Sequence, residues 1–112
     1  MYAWHVDIFA DLANKLKNTK VGSSNLLDHS ALVFLSEGGG GTDIESFKPQ
    51  QPHSVENMLT LVAGKAGGLK GGVHLDGKTR HPSSVLLSAM KGAGSKETKI
   101  GQVSGVIPEL FK

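Results

Sequence analysis

The sequence predicts a small α/β domain, with a mainly parallel or mixed sheet between two flanking helices. Residues 30–36 contain an uninterrupted apolar run, and residues 58–63 are apolar apart from Thr60; such segments are typical of strands covered on both faces. Two other segments, residues 2–17 and the stretch that begins at Pro82, carry apolar side chains at helical spacing. These patterns alternate along 112 residues, a length suited to one domain, 1–112.

Residues 2–17 form the clearest helical pattern. Acidic residues come early and lysines late, as the helix dipole favours. The apolar face consists of His5, Ile8, Phe9, Leu12 and Leu16. We expect this face to be buried, with His5 either bonded to a backbone carbonyl in the core or directed into a cleft. Residues 18–25 then form a connecting loop, and Asp28 and His29 serve as turn and cap residues before the first strand.

A long polar segment separates the two apolar strands. Residues 37–56 contain the glycine run 38–41 together with Pro49 and Pro52, which exclude regular structure over most of this length. Ligands of parallel sheets gather beyond the carboxyl ends of the strands, which is where Glu37 lies. The sequence therefore indicates a candidate cleft at this point.

The C-terminal third begins with a glycine cluster at 64–72. Residues 73–75 form a candidate short strand, closed by a turn at Asp76 and Gly77. Pro82 marks a helix start, and Gly92 or Gly94 marks its end. The remaining apolar positions predict a short strand or extended tail and then a terminal anchor; they are Ile100, Val103, Val106, Leu110 and Phe111.

Composition narrows the range of functions. The chain contains no cysteine, which excludes disulfides and thiolate metal sites. Its net charge is only +2, and Arg80 is the single arginine, so nucleic-acid binding is not expected. No apolar run is long enough for a membrane span, and the N-terminus lacks a signal-peptide layout.

Two groups of residues are candidates for binding chemistry. Glu37, His53 and His74, with Asp76 beside them, follow predicted strand ends and carry ligand types that suit a divalent metal such as zinc. Their long, irregular spacing, with no HxH or HExxH pair, favours solvated loop residues over a metal site.

The second group lies in the glycine cluster. Lys65, Gly67, Gly68 and Lys70 suit a backbone nest for an anion, or else a tight turn with solvated lysines. Neither a P-loop nor a nucleophile elbow is present, so no catalytic residue is identified.

The order of short motifs resembles a known family along nearly the whole chain. The motifs are Trp-His-Val at 4–6, Leu-Leu-Asp-His-Ser at 26–30, Ser-Glu at 36–37, His53 before Glu-Asn at 56–57, Leu-Val-Ala-Gly at 61–64, Gly-Gly-Leu-Lys-Gly-Gly at 67–72, His-Leu at 74–75, Pro82 before Leu-Leu at 86–87, and Ile-Pro-Glu-Leu-Phe at 107–111. They resemble the C-terminal part of an uncharacterised exported bacterial family, the domain of unknown function fifteen-fifty-two, which is distantly similar to alkaline phosphatases and sulfatases.

This resemblance implies the C-terminal portion of an alkaline-phosphatase-like fold. Family members are several times longer, and the superfamily takes its nucleophile and some metal ligands from the N-terminal part. The chain therefore resembles either a fragment or a minimal offshoot of the family. It also departs from the family in a longer loop at 38–52 and in Val73, where a basic residue is common.

Three functional hypotheses follow. The first is a domain without demonstrated catalysis that keeps a vestigial anion or metal site. The second is a metal-dependent hydrolase of phosphate or sulfate esters, with Glu37, His53 and His74 as ligands and Lys65 or Lys70 at the oxyanion. The third is a module that binds another protein chain, or a second copy of itself, through a sheet edge.

Overall fold

The computed structural model of the protein describes residues 2–36 and 58–111, which form two helices and three antiparallel strand pairs. The helices are α1 (Tyr2–Asn18) and α2 (Ser83–Gly92). The strands are β1 (Lys20–Val21), β2 (Ser24–Asn25), β3 (Leu32–Leu35), β4 (Thr60–Ala63), β5 (Lys99–Ile100) and β6 (Val103–Ser104). Short 3₁₀ turns at Leu26–His29, Ala66–Gly68 and Pro108–Leu110 connect or end these elements.

The central sheet consists of β3 and β4, which pair antiparallel. Leu32 lies opposite Ala63, and Leu35 lies opposite Thr60. The prediction of a mainly parallel or mixed sheet is therefore wrong for the described strands, all of which pair antiparallel. The apolar runs arise instead because both faces of a narrow ribbon are covered by other elements.

The two helices lie on opposite faces of the β3–β4 ribbon. On one face, the Phe34 ring lies 6.2 Å from the Phe9 ring of α1, measured between centroids. Side chains alternate between the faces of a strand, so Ala31 and Val33 face the other way. On that second face, Ala31 and Val62 pack against the buried cluster beneath α2. The predicted pair of flanking helices is thus confirmed, and the layers are helix, sheet, helix.

The hydrophobic core lies beneath α2, away from α1. Its buried members are Ala66, Leu69, Leu87, Ala89, Ile107 and Leu110. The C-terminal segment is held there by the backbone bond from Lys70 N–H to the Leu110 carbonyl, 2.8 Å, and by a bridge between Leu69 and Phe111. The predicted terminal anchor of Leu110 and Phe111 is confirmed.

A buried hydroxyl joins α2 to this C-terminal segment. Ser88 donates to the Ser84 carbonyl one turn earlier, 2.6 Å, and accepts from the Ile107 N–H, 2.8 Å. Ser88 is fully buried, and its two hydrogen bonds satisfy groups that would be costly to leave unpaired. Hydrogen bonds as well as apolar contacts therefore hold the segment from Ile107 onward against α2.

Other predicted elements are confirmed in part. Both helices appear where their patterns predict them, and α2 ends at Gly92. Residues 73–75 do not form a strand, so that prediction is wrong. The predicted loop 18–25 contains the hairpin β1–β2, and Ile100 and Val103 lie opposite each other in the hairpin β5–β6.

Gly64 sits where β4 leaves the sheet and turns back toward β3. Its φ of +101° is unfavourable for residues with a side chain. A β-carbon at this position would overlap the carbonyl oxygen of Ser30. The adjacent Lys65 and Ala66 N–H groups donate to the carbonyls of Leu27 and Ser30. Close backbone approach therefore requires glycine at position 64.

We expect Gly64→Ala to destabilise the fold by roughly 3 kcal/mol or more, because backbone strain and a clash with main-chain atoms add together. Gly68→Ala is the matched control, since Gly68 has a φ of +89° with nothing within 4 Å of an added β-carbon. That variant should lose only about 1–2 kcal/mol. Urea unfolding measures both losses, and equal losses would contradict the close approach at Gly64.

Candidate functional site

Neither edge of the β3–β4 ribbon pairs with another strand among the described residues, and we call these its open edges. The hydrogen bond from the Ser36 N–H to the Leu59 carbonyl fixes which residues of the antiparallel pair exchange bonds. In an antiparallel pair, the backbone groups of successive residues point alternately toward the partner strand and away from it. The N–H and C=O groups of Val33 and Leu35 therefore point away from β4, and those of Thr60 and Val62 point away from β3. None of these outward groups has a hydrogen-bond partner within residues 2–36 and 58–111.

The residues of β3 and β4 are also less buried than is usual for strands of such apolar composition. Each of the four residues in β3 and in β4 is only half-buried. Leu59, which directly precedes β4, is 47% exposed. Strands with this apolar character are normally covered on both faces, and residues 2–36 and 58–111 cover these two strands only in part.

Helix α1 adds an exposed apolar surface beside the ribbon. Its inward positions, Val6, Phe9, Ala13 and Leu16, are half-buried. Its other apolar positions remain outside: Trp4 is 66% exposed, Ile8 49% and Leu12 48%. These three residues recur at every fourth position and form one stripe along the helix. We call Trp4, Ile8 and Leu12 the α1 stripe.

Asp28 holds the turn between α1 and the ribbon. Its carboxylate accepts from the Ser24 hydroxyl, 3.1 Å, and from the Asn25 amide, 3.0 Å, and forms an ion pair with Lys65 at 3.0 Å. The Asn25 side chain in turn caps the backbone N–H of Asp28. The hydrogen bond from Lys65, followed by that from Ser24, lowers the pKa of Asp28. The predicted turn role of Asp28 is confirmed.

The residues predicted to bind an anion have contacts within the chain. Lys65 reaches Asp28, and the N–H groups of Gly68 and Lys70 donate to the carbonyls of Lys65 and Leu110. Gly67, with a φ of +60°, approaches α2 so closely that an added β-carbon would lie 2.6 Å from the Gly92 carbonyl oxygen. These contacts are those of a tight packing turn, and anion binding here stays a prediction.

The residues predicted to bind a metal are only partly described. Glu37 and His53 lie outside the described residues. His74 is exposed, and Asp76 accepts a hydrogen bond from the Lys78 N–H, 2.8 Å, within its own turn. Among residues 2–36 and 58–111, no three histidine, aspartate or glutamate side chains lie close enough to share a metal ion. The site with Glu37, His53 and His74 stays a prediction.

His5 is exposed, so the expectation of a core histidine is wrong. Its ring lies 5.1 Å from the Trp4 ring in an edge-on arrangement and 6.5 Å from the Phe34 ring, between centroids. His5 thus lies at the border between the α1 stripe and the covered face of the helix. His29 is exposed at the end of its 3₁₀ turn.

A second ion pair fastens the segment before α2 to the C-terminal turn. Arg80 donates to Glu109 at 2.6 Å. This hydrogen bond lowers the pKa of Glu109 and raises that of Arg80. The single arginine of the chain therefore has a partner within the protein.

Sequence reasoning identified the two apolar strands but missed the α1 stripe. The helical pattern placed Ile8 and Leu12 on a buried face, whereas the ribbon is too narrow to cover the full apolar width of α1. The sequence did contain a signal of this exposure, because the apolar positions of α1 occupy a wider arc of the helix than one buried face. The open edges follow from the strand pairing, which periodicity alone does not reveal.

No protein-family model, curated protein or solved structure matches the chain. Within residues 2–36 and 58–111, neither helix has the combined length and apolar character of a membrane span.

The lowered pKa of Asp28 makes its contribution to stability depend on pH. The folded carboxylate releases its proton more readily than the unfolded one, so the contribution is complete above the unfolded pKa and is lost as pH falls through the folded pKa. The loss therefore begins below about pH 4. We expect the wild type to be more stable than Asp28→Asn at pH 7, and the difference in unfolding free energy to shrink in acid.

Urea unfolding across this pH range measures the difference. Glu97→Gln, at an exposed position beyond α2, controls for the loss of one negative charge. Lys65→Met removes the largest cause of the shift, so the pKa of Asp28 measured by NMR should rise. A wild-type advantage over Asp28→Asn that stays constant from pH 7 to acid would contradict this account.

Proposed function

We propose that the chain is a polypeptide-binding module whose β3–β4 ribbon is completed by an extended strand from another polypeptide. The observation that carries this proposal is the pair of open edges at Val33 and Leu35 and at Thr60 and Val62. Backbone groups on apolar strands need partners, and a strand added alongside supplies alternating donors and acceptors.

The form of the ligand follows from the chemistry of the edges. Outward N–H and C=O groups recur at every second residue, which matches an extended backbone and not a helix. Neither β3 nor β4 contains a charged residue. The bound segment is therefore extended, and apolar or uncharged over about four residues.

The α1 stripe supports the same function. The helices cover the faces of the ribbon but not its edges, so an added strand would pair backbone groups that the helices leave without partners among the described residues. Trp4, Ile8 and Leu12 expose apolar surface on the helix that packs on β3. Contiguous exposed apolar surface of this kind is a recognised feature of interaction sites.

The resemblance of the motif order to the exported, sulfatase-like family, which no comparison tests, carries an implication of the same kind. If the chain has that fold, β3 and β4 belong to a larger sheet than residues 2–36 and 58–111 supply. On the proposed function, the neighbouring strands come from another polypeptide, whether a larger portion of such a fold or a different chain.

We expect a labelled peptide of alternating valine and threonine, with one glutamate and one lysine at its ends, to bind saturably. Proline at an edge position removes one outward N–H without touching the bonds between β3 and β4. Leu35→Pro and Thr60→Pro therefore test the two edges separately. Binding at the edge that is used should weaken about fivefold, as expected for one hydrogen bond. Fluorescence anisotropy measures the dissociation constant.

Leu35→Ile and Thr60→Val are the matched controls, because both retain the N–H and suit a strand. They should bind the peptide as the wild type does. Absence of binding, or equal binding by the proline and control variants at both edges, would overturn the proposed function. Circular dichroism confirms that each variant is folded.

A further inference from the structure

We infer that Asp76 and Gly77 form a site of spontaneous covalent modification, at which the aspartate converts to isoaspartate through a cyclic imide. The inference concerns the segment that joins the core to α2, so it is independent of the β3–β4 ribbon. Glycine follows aspartate at no other place in the sequence, and it follows no asparagine. The absence of a side chain on the following residue is what makes this pair reactive, because nothing hinders its nitrogen.

The segment around this pair is open to solvent. Every residue from 70 to 81 is exposed, and none lies in a helix or strand. A β-carbon added to Gly77 would meet no atom within 4 Å. The Gly77 N–H has no hydrogen-bond partner among residues 2–36 and 58–111. Its nitrogen is therefore accessible, whereas most backbone N–H groups of a folded chain are held in hydrogen bonds.

One hydrogen bond positions the carboxyl group of Asp76. Its Oδ1 accepts from the Lys78 N–H, 2.8 Å, which closes a turn around Gly77. Because the hydrogen-bonded ring contains the Gly77 nitrogen, the carboxyl carbon is held near that nitrogen. The bond also withdraws electrons from the carboxyl carbon. The second oxygen, Oδ2, has no partner among the described residues, so it can leave.

The reaction balances with water alone. The Gly77 nitrogen bonds to the carboxyl carbon of Asp76, and one carboxyl oxygen leaves as water with the amide hydrogen and a proton. The cyclic imide then takes up one water. Addition at the side-chain carbonyl restores aspartate. Addition at the main-chain carbonyl breaks the bond from that carbonyl to the Gly77 nitrogen and leaves isoaspartate, with no net change in mass.

Isoaspartate changes the turn that leads to Arg80. The main chain then runs through the former side chain of Asp76 and is longer by a methylene group, while the free carboxylate lies on the α-carbon. The Arg80 N–H donates to the Gly77 carbonyl at 2.9 Å, and the Arg80 side chain pairs with Glu109. The modification therefore alters the turn that presents Arg80 to the C-terminal turn.

Incubation of the folded protein in warm neutral buffer tests the inference. Trypsin releases residues 71–78 as one peptide, in which Asp76 is the only acidic residue. We expect a second form of this peptide, equal in mass and separable by liquid chromatography, to accumulate with time. Electron-transfer fragmentation identifies it as isoaspartate. The peptide that contains Asp28 is the internal control and should not split, because Ser24, Asn25 and Lys65 hold that carboxylate.

Two variants test the chemistry at the pair itself. Gly77→Ala fits the open space around Gly77, but its methyl group hinders the nitrogen, so the second form should accumulate several-fold more slowly. Asp76→Glu keeps the charge but would have to close a larger ring, so no second form should appear. Circular dichroism confirms that both variants are folded.

The chain unfolded in guanidinium chloride separates the effect of the folded turn from that of the sequence. If the turn positions the carboxyl group, the folded protein forms isoaspartate at least as fast as the unfolded chain. Slower conversion in the folded protein would overturn the inference, because folding would then protect the pair. Equal rates for the wild type and Gly77→Ala, or equal splitting of the Asp28 peptide, would overturn it as well.

Discussion

The register between β3 and β4 is the constraint on which the rest of this structure depends. It places Phe34 on the face of the ribbon toward α1, and Ala31 and Val62 on the opposite face toward the core beneath α2. A shift of one residue in the register would turn each side chain of the shifted strand to the opposite face of the ribbon, away from the layer that it contacts now. The same register decides which backbone groups point outward, so the architecture and the candidate site have a common origin.

Contacts at the Gly64 end of the ribbon secure that register. The lack of a side chain at Gly64 lets the chain approach Ser30, and the N–H groups of Lys65 and Ala66 then bond to the preceding turn. Asp28 ties the same turn to Lys65 through an ion pair. The backbone hydrogen bonds orient the chain after β4, and the exposed ion pair makes a smaller, pH-dependent contribution to stability. Together they fix where β4 ends relative to β3.

The sequence was sufficient for the positions of the main elements because periodicity depends on local geometry. Both helices and both central strands follow from such patterns. Strand direction did not follow, because an apolar run records that both faces are covered and not how the neighbouring strand is oriented. Covering by α1 and by the core beneath α2 produces the same run in an antiparallel ribbon.

The candidate site was predictable only in part, for a related reason. Glycines in the 64–72 cluster suit either an anion nest or a packing turn, and only contacts distinguish the two. Gly67 against Gly92, and Lys70 bonded to Leu110, belong to packing. His74 could be assigned to a loop from sequence, but convergence with Glu37 and His53 depends on tertiary structure. The exposure of Trp4 likewise depends on the width of the sheet beneath α1, which no local pattern contains.

Burial differs between the two sides of the β3–β4 ribbon. Beneath α2, Leu69, Ile107 and Leu110 are buried, and Ser88 satisfies the backbone that approaches it. On the α1 side, the strands are half-buried, and the apolar face of α1 is wider than the ribbon that covers it. A narrow ribbon cannot bury both of its own faces and its edges, so additional strands increase burial and hydrogen bonding together. If another polypeptide supplies them, stability and binding are linked, and the free energy of unfolding rises with the concentration of that polypeptide.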